Sequence, residues 1–213
     1  TFCALDHASL IWEQGHSIAI MGESGSGKST LARLMIGLER PSEGRVLING
    51  IDTTKWGLRE WRKHRGKIQA VFQDAGGTLN PAWSTSKNVE EALVNLTDLS
   101  STQRKSRIAE LMGQTGLQKS LLDTPVRKLS GGEQRRLALL RSLSISPEFL
   151  ILDEVTAGLD LISTEAVLQL LEKYEQEHDC AYLVITHDLQ VASRLCEVIY
   201  EIEHGKITKK AVR

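Results

Sequence analysis

The sequence lacks a strong charge excess and any long apolar segment. Its 213 residues carry 26 Lys and Arg against 27 Asp and Glu, a formal net charge of −1, whereas a general nucleic-acid binder is usually clearly basic. No apolar run approaches the roughly 18 residues that span a bilayer, and Thr1 does not open a signal-peptide pattern. We therefore expect a cytosolic location, so that another polypeptide must cross any membrane that the protein serves.

Cysteines are also few, and the sequence has neither repeats nor low-complexity segments. Cys3, Cys180 and Cys196 show no close metal-ligand spacing, and an odd number does not indicate a disulfide framework. We interpret them as intracellular, small apolar fillers. The remaining composition, 41% hydrophobic and 25% charged, is that of a globular protein with one sizeable domain or a domain with a smaller insert.

Short apolar runs alternate with helical patterns. Continuous apolar runs at 149–152 and 182–185 are typical of strands buried on both faces of a parallel sheet. This alternation predicts an α/β domain. Predicted strands lie in 17–22, 45–50, 67–73, 149–154, 181–186 and 198–203, and predicted helices in 28–38, 160–178 and 188–196.

The segment 74–129 departs from this pattern, because it shows helical spacing and no strand signal. Helices are predicted at 89–96 and 101–117, with Ser100 or Ser101 as a cap. We expect a single domain, 1–213, in which 1–73 and 130–213 form an α/β core and 74–129 a helical insert.

A glycine-rich loop, GESGSGKS at 22–29, fits the pattern G-x-x-x-x-G-K-[ST] between a strand and a helix. Gly22, Gly25 and Gly27 allow turns that point backbone N–H groups at one anion. The N-terminus of the following helix adds an electrostatic potential that favours an anion. Lys28 supplies a positive charge for the β- and γ-phosphates, and Ser29 supplies a hydroxyl ligand for Mg²⁺. The loop predicts a nucleotide site.

Polar residues follow three other predicted strands. Asp153 and Glu154 end FLILDE, where Asp153 is a candidate Mg²⁺ ligand and Glu154 a candidate proton acceptor for an attacking water. His187 follows the strand at 181–186 and therefore reaches the same edge of the sheet. Gln73 ends KIQAVFQ, but a glutamine at this position does not by itself indicate a function.

A second helix start, LSGGEQRR at 129–136, needs no ligand by itself. Ser130 and Glu133 have the spacing of a capping box, which satisfies two backbone donors. The following helix nevertheless carries Arg135, Arg136 and Arg141, a composition that suits an anion.

Together these residues resemble the nucleotide-binding subunit of an ABC transporter over about residues 5–210. Gly22–Thr30 is similar to the Walker A loop, Gln73 to the Q-loop residue and His187 to the switch histidine. Four further segments complete the set: the signature motif at 129–134, Walker B at 149–154, the D-loop at 157–160 and the helical insert.

The resemblance implies a P-loop NTPase fold with a mostly parallel sheet, an N-terminal antiparallel β portion and an inserted α-helical subdomain. It implies ATP and Mg²⁺ as cofactors, with ATP sandwiched between two such domains arranged head to tail. The first set of expected ATP contacts is Gly22, Glu23, Ser24, Gly25, Ser26, Gly27, Lys28, Ser29 and Thr30, and the set that reaches the opposite ATP is Ser130, Gly131, Gly132 and Asp160.

In the same resemblance Glu154, His187 and Gln73 form the catalytic set, and Ser29, Gln73 and Asp153 hold the metal. Glu154 polarises the hydrolytic water, His187 contacts the γ-phosphate and Gln73 senses Mg²⁺ while linking the site to the membrane subunit. Asp160 couples the two sites.

Several positions depart from the family pattern. Val155 replaces a proline after the catalytic acid, Glu133 replaces the commoner glutamine, and Leu140 replaces a usual alanine. The adenine-stacking aromatic falls before Thr1 or near Phe2, so we expect a truncated N-terminus, while Trp12 is expected to pack against the domain.

The segment FQDAGGTLNP at 72–81 resembles the FQDP..SLNP form of ATPases that energise oligopeptide, dipeptide, nickel and metal–opine uptake, with Ala75 in place of a proline. This resemblance implies an import ATPase at the cytoplasmic face of the cell membrane. Its implied partners are a second ATPase subunit, permease subunits and an extracellular solute-binding protein, without nucleic acid. The alternative is a non-transport ABC ATPase, for example in iron–sulfur assembly.

The basic run WRKHR at 61–65 has two interpretations. It forms either a solvated helix face, which the sequence favours, or a surface that touches lipid phosphates or a partner.

Overall fold

The computed structural model describes residues 3–74 and 76–212, which divide into two compact units. The first unit comprises the chain up to Ala70, Glu148–Glu154 and the chain from Ala181 onward, and the second comprises Val71–Pro147 and Val155–Cys180. Two positions named in the sequence analysis lie outside the described residues. One is Phe2, near which the adenine-stacking aromatic is expected, and the other is Ala75, which stands in place of a proline. No helix in the described ranges combines the length and apolarity that a membrane crossing needs.

Within residues 3–74 and 76–212, eight strands form two sheets. The larger sheet belongs to the first unit apart from Val71 at the end of β4. Its order is β4-β5-β6-β1-β7-β8, while β2 and β3 form an antiparallel pair. β1 pairs with β6 and β7 in parallel, β5 pairs with β6 in parallel, and β7 pairs with β8 in antiparallel register. The strands are β1 (Ile18–Met21), β2 (Leu47–Ile48), β3 (Ile51–Asp52), β4 (Ile68–Val71), β5 (Phe149–Asp153), β6 (Ala181–Ile185), β7 (Val198–Glu203) and β8 (Lys206–Val212).

This sheet confirms the predicted fold class, a mostly parallel P-loop NTPase core. β5 and β6 are buried along most or all of their length, in keeping with their continuous apolar sequences. The antiparallel β portion expected near the N-terminus consists of β2 and β3. The sequence did not predict β3 or β8, because neither shows a sustained apolar run.

The described part of the chain also contains seven α-helices, four of them in the second unit. The helices are α1 (Lys28–Met35), α2 (Leu58–His64), α3 (Thr85–Leu96), α4 (Ser101–Gln114), α5 (Gly131–Ser144), α6 (Leu161–Glu177) and α7 (Leu189–Leu195). Of these, α3 to α6 belong to the second unit. Leu93, Ile108, Leu137 and Leu140 are fully or almost fully buried in its apolar core, where α3, α4 and α5 meet.

Caps explain where the helices of the second unit begin. α3 starts at Thr85, four residues before the predicted start, because the Ser84 hydroxyl accepts a hydrogen bond from Lys87 N. Ser100, and not Ser101, caps α4 in a capping box with Gln103. α4 ends at Gln114, before the predicted 117, since Gly116 has a φ of 67°. The division of one domain into core and insert at 74–129 stays a prediction.

Two smaller predictions differ in outcome. Trp12 packs edge-to-face on Phe149 with ring centroids 4.8 Å apart, which confirms a packing role. Cys180 and Cys196 are buried fillers, as expected, but Cys3 is exposed, so its assignment as a filler was wrong. The Cys3 thiol donates a hydrogen bond to the Leu5 carbonyl, a local contact that sequence composition does not encode.

Candidate nucleotide site

The glycine-rich loop between β1 and α1 has a backbone that only glycine tolerates at two points. Gly22 and Gly27 have φ values of 146° and 108°. A Cβ on Gly22 would lie 2.3 Å from the Ile202 carbonyl oxygen, and one on Gly27 2.4 Å from the Ala4 carbonyl oxygen. A side chain at either position would therefore collide with neighbouring backbone, so the loop in this conformation requires glycine at both.

Lys28 and Ser26 place polar groups in this loop. The Lys28 ammonium donates to the carbonyl oxygens of Gly22 and Glu23 over 2.7 and 2.6 Å, so the loop itself holds the positive charge. Among the residues described, the buried Ser26 hydroxyl has no hydrogen-bond partner. A buried hydroxyl without a partner is costly, and a phosphate oxygen is a ligand that would satisfy it.

Ser29 and Asp153 meet across the carboxyl end of β5. The Ser29 hydroxyl donates to Asp153 Oδ2 over 2.9 Å. Burial raises the pKa of the Asp153 carboxyl, and the hydrogen bond from Ser29 opposes that rise only in part. A hydroxyl and a destabilised buried carboxylate fit Mg²⁺, which proteins commonly hold through one or two carboxylates together with substrate phosphates.

No cluster of three or more His, Cys, Asp or Glu side chains that could hold a metal occurs within 3–74 and 76–212. Ser29 and Asp153 supply two oxygen ligands, a number that suits a Mg²⁺ whose remaining ligands are phosphate oxygens and water.

Glu154 and His187 are neighbours at the same sheet edge. His187 Nδ1 and Glu154 Oε1 are 3.0 Å apart, and the Glu154 backbone N–H donates to the Ile185 carbonyl, which ties the two strand ends together. The hydrogen bond between the imidazole and the Glu154 carboxylate, and then the charge of that carboxylate, raises the pKa of His187. The carboxylate is 14% exposed and the imidazole 74%, so the histidine covers the acid from the solvent side.

Glu154 also has a φ of 53°, an unusual value for a residue other than glycine. Strained backbone of this kind is concentrated at functional sites. It turns the chain sharply where β5 ends, so that the carboxylate faces His187 instead of continuing the alternation of the strand.

The signature segment belongs to the second unit and forms the predicted capping box. The Ser130 N–H and hydroxyl both donate to Glu133 Oε2, over 2.7 and 2.8 Å, and Glu133 N donates to Ser130 Oγ over 3.3 Å. These bonds lower the pKa of Glu133. Gly131 and Gly132 open α5, and a Cβ on Gly131 would meet no atom within 4 Å, so Gly131 borders open space.

Two of the three arginines of α5 bind protein groups rather than facing an anion. Arg141 donates to the Thr78 carbonyl over 3.0 Å and to the Glu91 carboxylate over 2.9 Å. The Arg135 guanidinium donates to the carbonyl of Ala157, the first D-loop residue. Arg135 therefore joins the signature helix to the D-loop within one unit.

Asp160 ends the D-loop as the N-cap of α6. Its two carboxylate oxygens accept from the N–H and the hydroxyl of Ser163, over 2.9 and 2.7 Å, and these bonds lower its pKa. Leu161 and Ile162 follow it with 88% and 84% of their surface exposed. The D-loop thus ends beside an uncovered pair of apolar side chains.

Gln73 lies in an exposed bend two residues after β4, and the segment behind it is tied to the helices of the second unit. Asp74 Oδ1 accepts from Gly77 N over 3.0 Å. Asn80 and Asn88 exchange two hydrogen bonds, over 2.8 and 3.1 Å, which anchors the segment on α3. Movement of the Q-loop segment would therefore act on α3 directly.

The structure brings the predicted residues together in two groups. One comprises the glycine loop with Lys28 and Ser29, Asp153, Glu154 and His187, and the other the signature segment and D-loop. The sequence placed Ser26 among the expected ATP contacts but did not single out its buried hydroxyl, and it gave no indication of the Arg135 contact. The spacing gave no signal for either, because burial and a partner 22 residues away depend on tertiary structure.

The comparisons with known proteins agree with this geometry. A family model described as ABC transporter matches residues 5–157. The chain is 37% identical over 207 residues to the nickel import ATP-binding protein NikE of Rhodospirillum rubrum, covering 97% of this chain and 75% of the relative. It is 36% identical over 208 residues to NikE of Escherichia coli strain K12, covering 98% of this chain and 78% of the relative.

Two solved structures share the fold. The ATP-binding cassette MJ0796, in a dimeric post-hydrolysis state with ADP and Pi, superposes with a TM-score of 0.89 at 32% identity, covering 99% of this chain and 91% of that one. CbiO1 of Clostridium perfringens, part of the ABC transporter complex cbiONQ, gives a TM-score of 0.83 at 31% identity, covering 96% and 80%. The chain therefore belongs to the ABC transporter family, as one of its ATP-binding and ATP-hydrolysing subunits.

Proposed function

We propose that this subunit pairs with a second ATPase subunit, identical or homologous, when ATP binds. The two form the energy source for uptake of a solute through separate membrane permeases. The pairing of Glu154 with His187, next to the phosphate loop, is the observation that supports turnover most directly. The exposed Leu161 and Ile162 beside the D-loop support a partner surface.

Import of a nickel, peptide or metal–metallophore solute is the transport reaction that the relatives favour. Both curated relatives are nickel import proteins, and FQDAGGTLNP resembles the same uptake group. This reaction supports a peripheral position at the cytoplasmic face of a membrane, with an extracellular solute-binding protein as a further partner. The two NikE relatives give no specific support to an iron–sulfur assembly ATPase, the other candidate.

Phosphate binding is the first task of the chain's own residues. The N–H groups of the residues from Gly22 to Thr30 surround the triphosphate, while Lys28 exchanges its loop carbonyls for phosphate oxygens. Ser29, Asp153 and Gln73 would hold Mg²⁺, which neutralises charge on the β- and γ-phosphates when bound. Ser130, Gly131, Gly132 and Asp160 serve the ATP held by the partner.

Proton transfer is the task of Glu154. Its carboxylate accepts a proton from the attacking water, and His187 holds that carboxylate in place and contacts the γ-phosphate. Hydrolysis then reopens the dimer, and the Q-loop segment anchored on α3 transmits this change to the permease.

The variant Glu154→Gln tests this proposal. It keeps the size of the side chain but cannot accept the proton, so ATP should still bind while turnover falls by about a hundred-fold or more. Size-exclusion chromatography with ATP should then show a trapped dimer, both for the purified chain and for the complex with its permease. Glu13→Gln, a change in an exposed carboxylate of the first unit, is the matched control. Normal hydrolysis by Glu154→Gln, or a monomer with ATP in both preparations, would contradict the assignment.

A further inference from the structure

Positive charge is concentrated in one short segment of the first unit. Residues 55–65, KWGLREWRKHR, contain five Lys or Arg and one Glu, a net charge of +4 in a chain whose formal net charge is −1. Most of this segment forms α2, which lies outside the phosphate loop and the two strand ends of the candidate site. Nothing in ATP binding or hydrolysis requires this charge.

The cations of α2 share one side of the helix. Trp61 is its only buried residue, at 7% exposure, and fixes which side faces inward. At about 100° per residue, Leu58, Arg62, Arg59 and Lys63 follow one another within an arc of about 140°. The three cations lie at least about 100° from Trp61, on the outward side of the helix, and Leu58 lies about 60° from Trp61 at the edge of the arc. All four are exposed. Glu60, the one carboxylate of the helix, falls outside this arc, which we call the α2 face.

The cations of the α2 face are not used within the part of the chain that the structure describes. Arg59, Arg62 and Lys63 have neither a carboxylate within ion-pair distance nor a hydrogen bond there. Arg65, just beyond the helix, differs. Its guanidinium donates to the Ile36 carbonyl over 3.0 Å and lies 5.2 Å from the centre of the Trp61 ring. The three free cations therefore have no structural role that would explain their clustering.

An apolar residue accompanies this charge. Leu58 is 89% exposed at the first position of the helix. Trp56, half-buried, packs edge-to-face on Trp61 at 5.2 Å and stacks on His64 at 4.2 Å, so it holds the start of the helix rigidly. A fixed helix with an exposed leucine among arginines and a lysine has the chemistry of an interfacial membrane contact.

We propose that the α2 face binds anionic phospholipid headgroups at a membrane surface. This inference rests on the proposed function in one respect, namely that the subunit works beside a membrane. Phosphate groups complement the three cations, and Leu58 enters the boundary between headgroups and acyl chains. An acidic protein surface would complement the charge equally well, but would not by itself call for a protruding leucine within the basic arc.

Vesicle flotation with the full chain tests the proposal. The chain should float with vesicles of phosphatidylcholine that contain about one third phosphatidylglycerol, and should remain unbound with phosphatidylcholine alone. Arg59→Gln/Arg62→Gln/Lys63→Gln should lower the partition coefficient by roughly a hundred-fold, since each of the three cations near an anionic surface contributes about a five-fold factor. Binding should also weaken as salt rises, because the Debye length shrinks to about 3 Å at 1 M.

A matched variant distinguishes the effect of the α2 face from the effect of the protein's total positive charge. Lys105→Gln/Lys119→Gln/Lys128→Gln removes the same number of cations from exposed positions of the second unit and should bind vesicles like the wild type. Leu58→Ala, which leaves the charge unchanged, should weaken binding several-fold.

Three results would overturn the proposal. These are equal binding to neutral and anionic vesicles, equal loss in the two triple variants, and binding to the permease complex without binding to lipid alone. The last result would assign the α2 face to an acidic protein. Neither ATP-dependent dimerisation nor hydrolysis by the purified chain involves lipid, so failure here leaves the Glu154→Gln test intact, and failure there leaves this one intact.

Discussion

Ser130 donates both its backbone N–H and its hydroxyl to a single carboxylate oxygen of Glu133, over 2.7 and 2.8 Å. The hydroxyl that the family resemblance assigns to a partner's γ-phosphate is therefore directed at a negative charge of its own helix. Glutamine, the commoner residue at this position, is uncharged. A subunit with Glu133 has to release this contact before Ser130 can serve a phosphate.

Glu133→Gln should therefore strengthen ATP-dependent dimerisation. Removal of one negative charge near a phosphate is worth about 1 kcal/mol in a solvated setting, so the ATP concentration for half-maximal dimer should fall about five-fold. The measurement is size-exclusion chromatography in the Glu154→Gln background, which prevents turnover. Because the pKa of Glu133 is lowered, the capping contact is present at neutral pH and is lost as pH falls through that lowered pKa. Unchanged ATP dependence would show that Glu133 turns away in the dimer.

Arg135 offers a second test, because it joins the signature helix to the D-loop through the Ala157 carbonyl. Arg135→Met keeps much of the side-chain length but removes the donors, so the D-loop loses a charge-assisted hydrogen bond worth about 1.5–3 kcal/mol. We expect kcat to fall about ten-fold or more while ATP binding to the monomer is unchanged.

Arg135→Lys, which restores one donor, should recover part of kcat. Equal loss in the Met and Lys variants, accompanied by a lower melting temperature, would instead indicate a role in folding. Arg127→Met, at an exposed position before the same helix, is the control.

His187 should titrate above its ordinary pKa of 6.5, because the hydrogen bond to Glu154 and then its charge favour the imidazolium. In Glu154→Gln the pKa should fall back towards 6.5. The folded-state pKa is the higher one, so this contact stabilises the protein below pH 6.5 and is lost as pH rises through the raised value. NMR titration of the His187 ring, assigned with His187→Gln, measures both values. Equal pKa values in the two proteins would show that the pair separates in solution.

The position of the candidate site residues at one edge of the sheet could be predicted from sequence because its signals are local. A buried strand followed by Asp153 and Glu154, or by His187, places those side chains at one edge whatever else the chain does. The glycine loop is equally local, since the positions with positive φ coincide with glycines at fixed spacing.

Other features depend on tertiary contacts and left no local trace. Glu154 takes a positive φ where no glycine marks the turn, and Arg135 reaches a carbonyl 22 residues away. The outward cations of α2 were visible as a basic run, but only the burial of Trp61 shows which residues share its exposed face. Cys3 shows the same limit, because composition predicts burial on average and does not place one particular thiol.

Leu140 departs from the family pattern, and its contribution to the free energy of unfolding can be measured. It stands where the family usually has alanine, and it is fully buried in the apolar core of the second unit with Leu93 and Leu137. Leu140→Ala restores the common residue but leaves a cavity among neighbours shaped for leucine. We therefore expect it to lower the free energy of unfolding by about 2–5 kcal/mol in chemical denaturation.

The same substitution at an exposed leucine separates the effect of packing from that of composition alone. Leu38 is 56% exposed, so Leu38→Ala should change the free energy of unfolding by less than about 0.5 kcal/mol. If Leu140→Ala cost as little as Leu38→Ala, α3, α4 and α5 would close around alanine without loss, and the leucine would have no packing function. A decrease of the free energy of unfolding in the expected range would show instead that the core of the second unit packs closely against the leucine side chain.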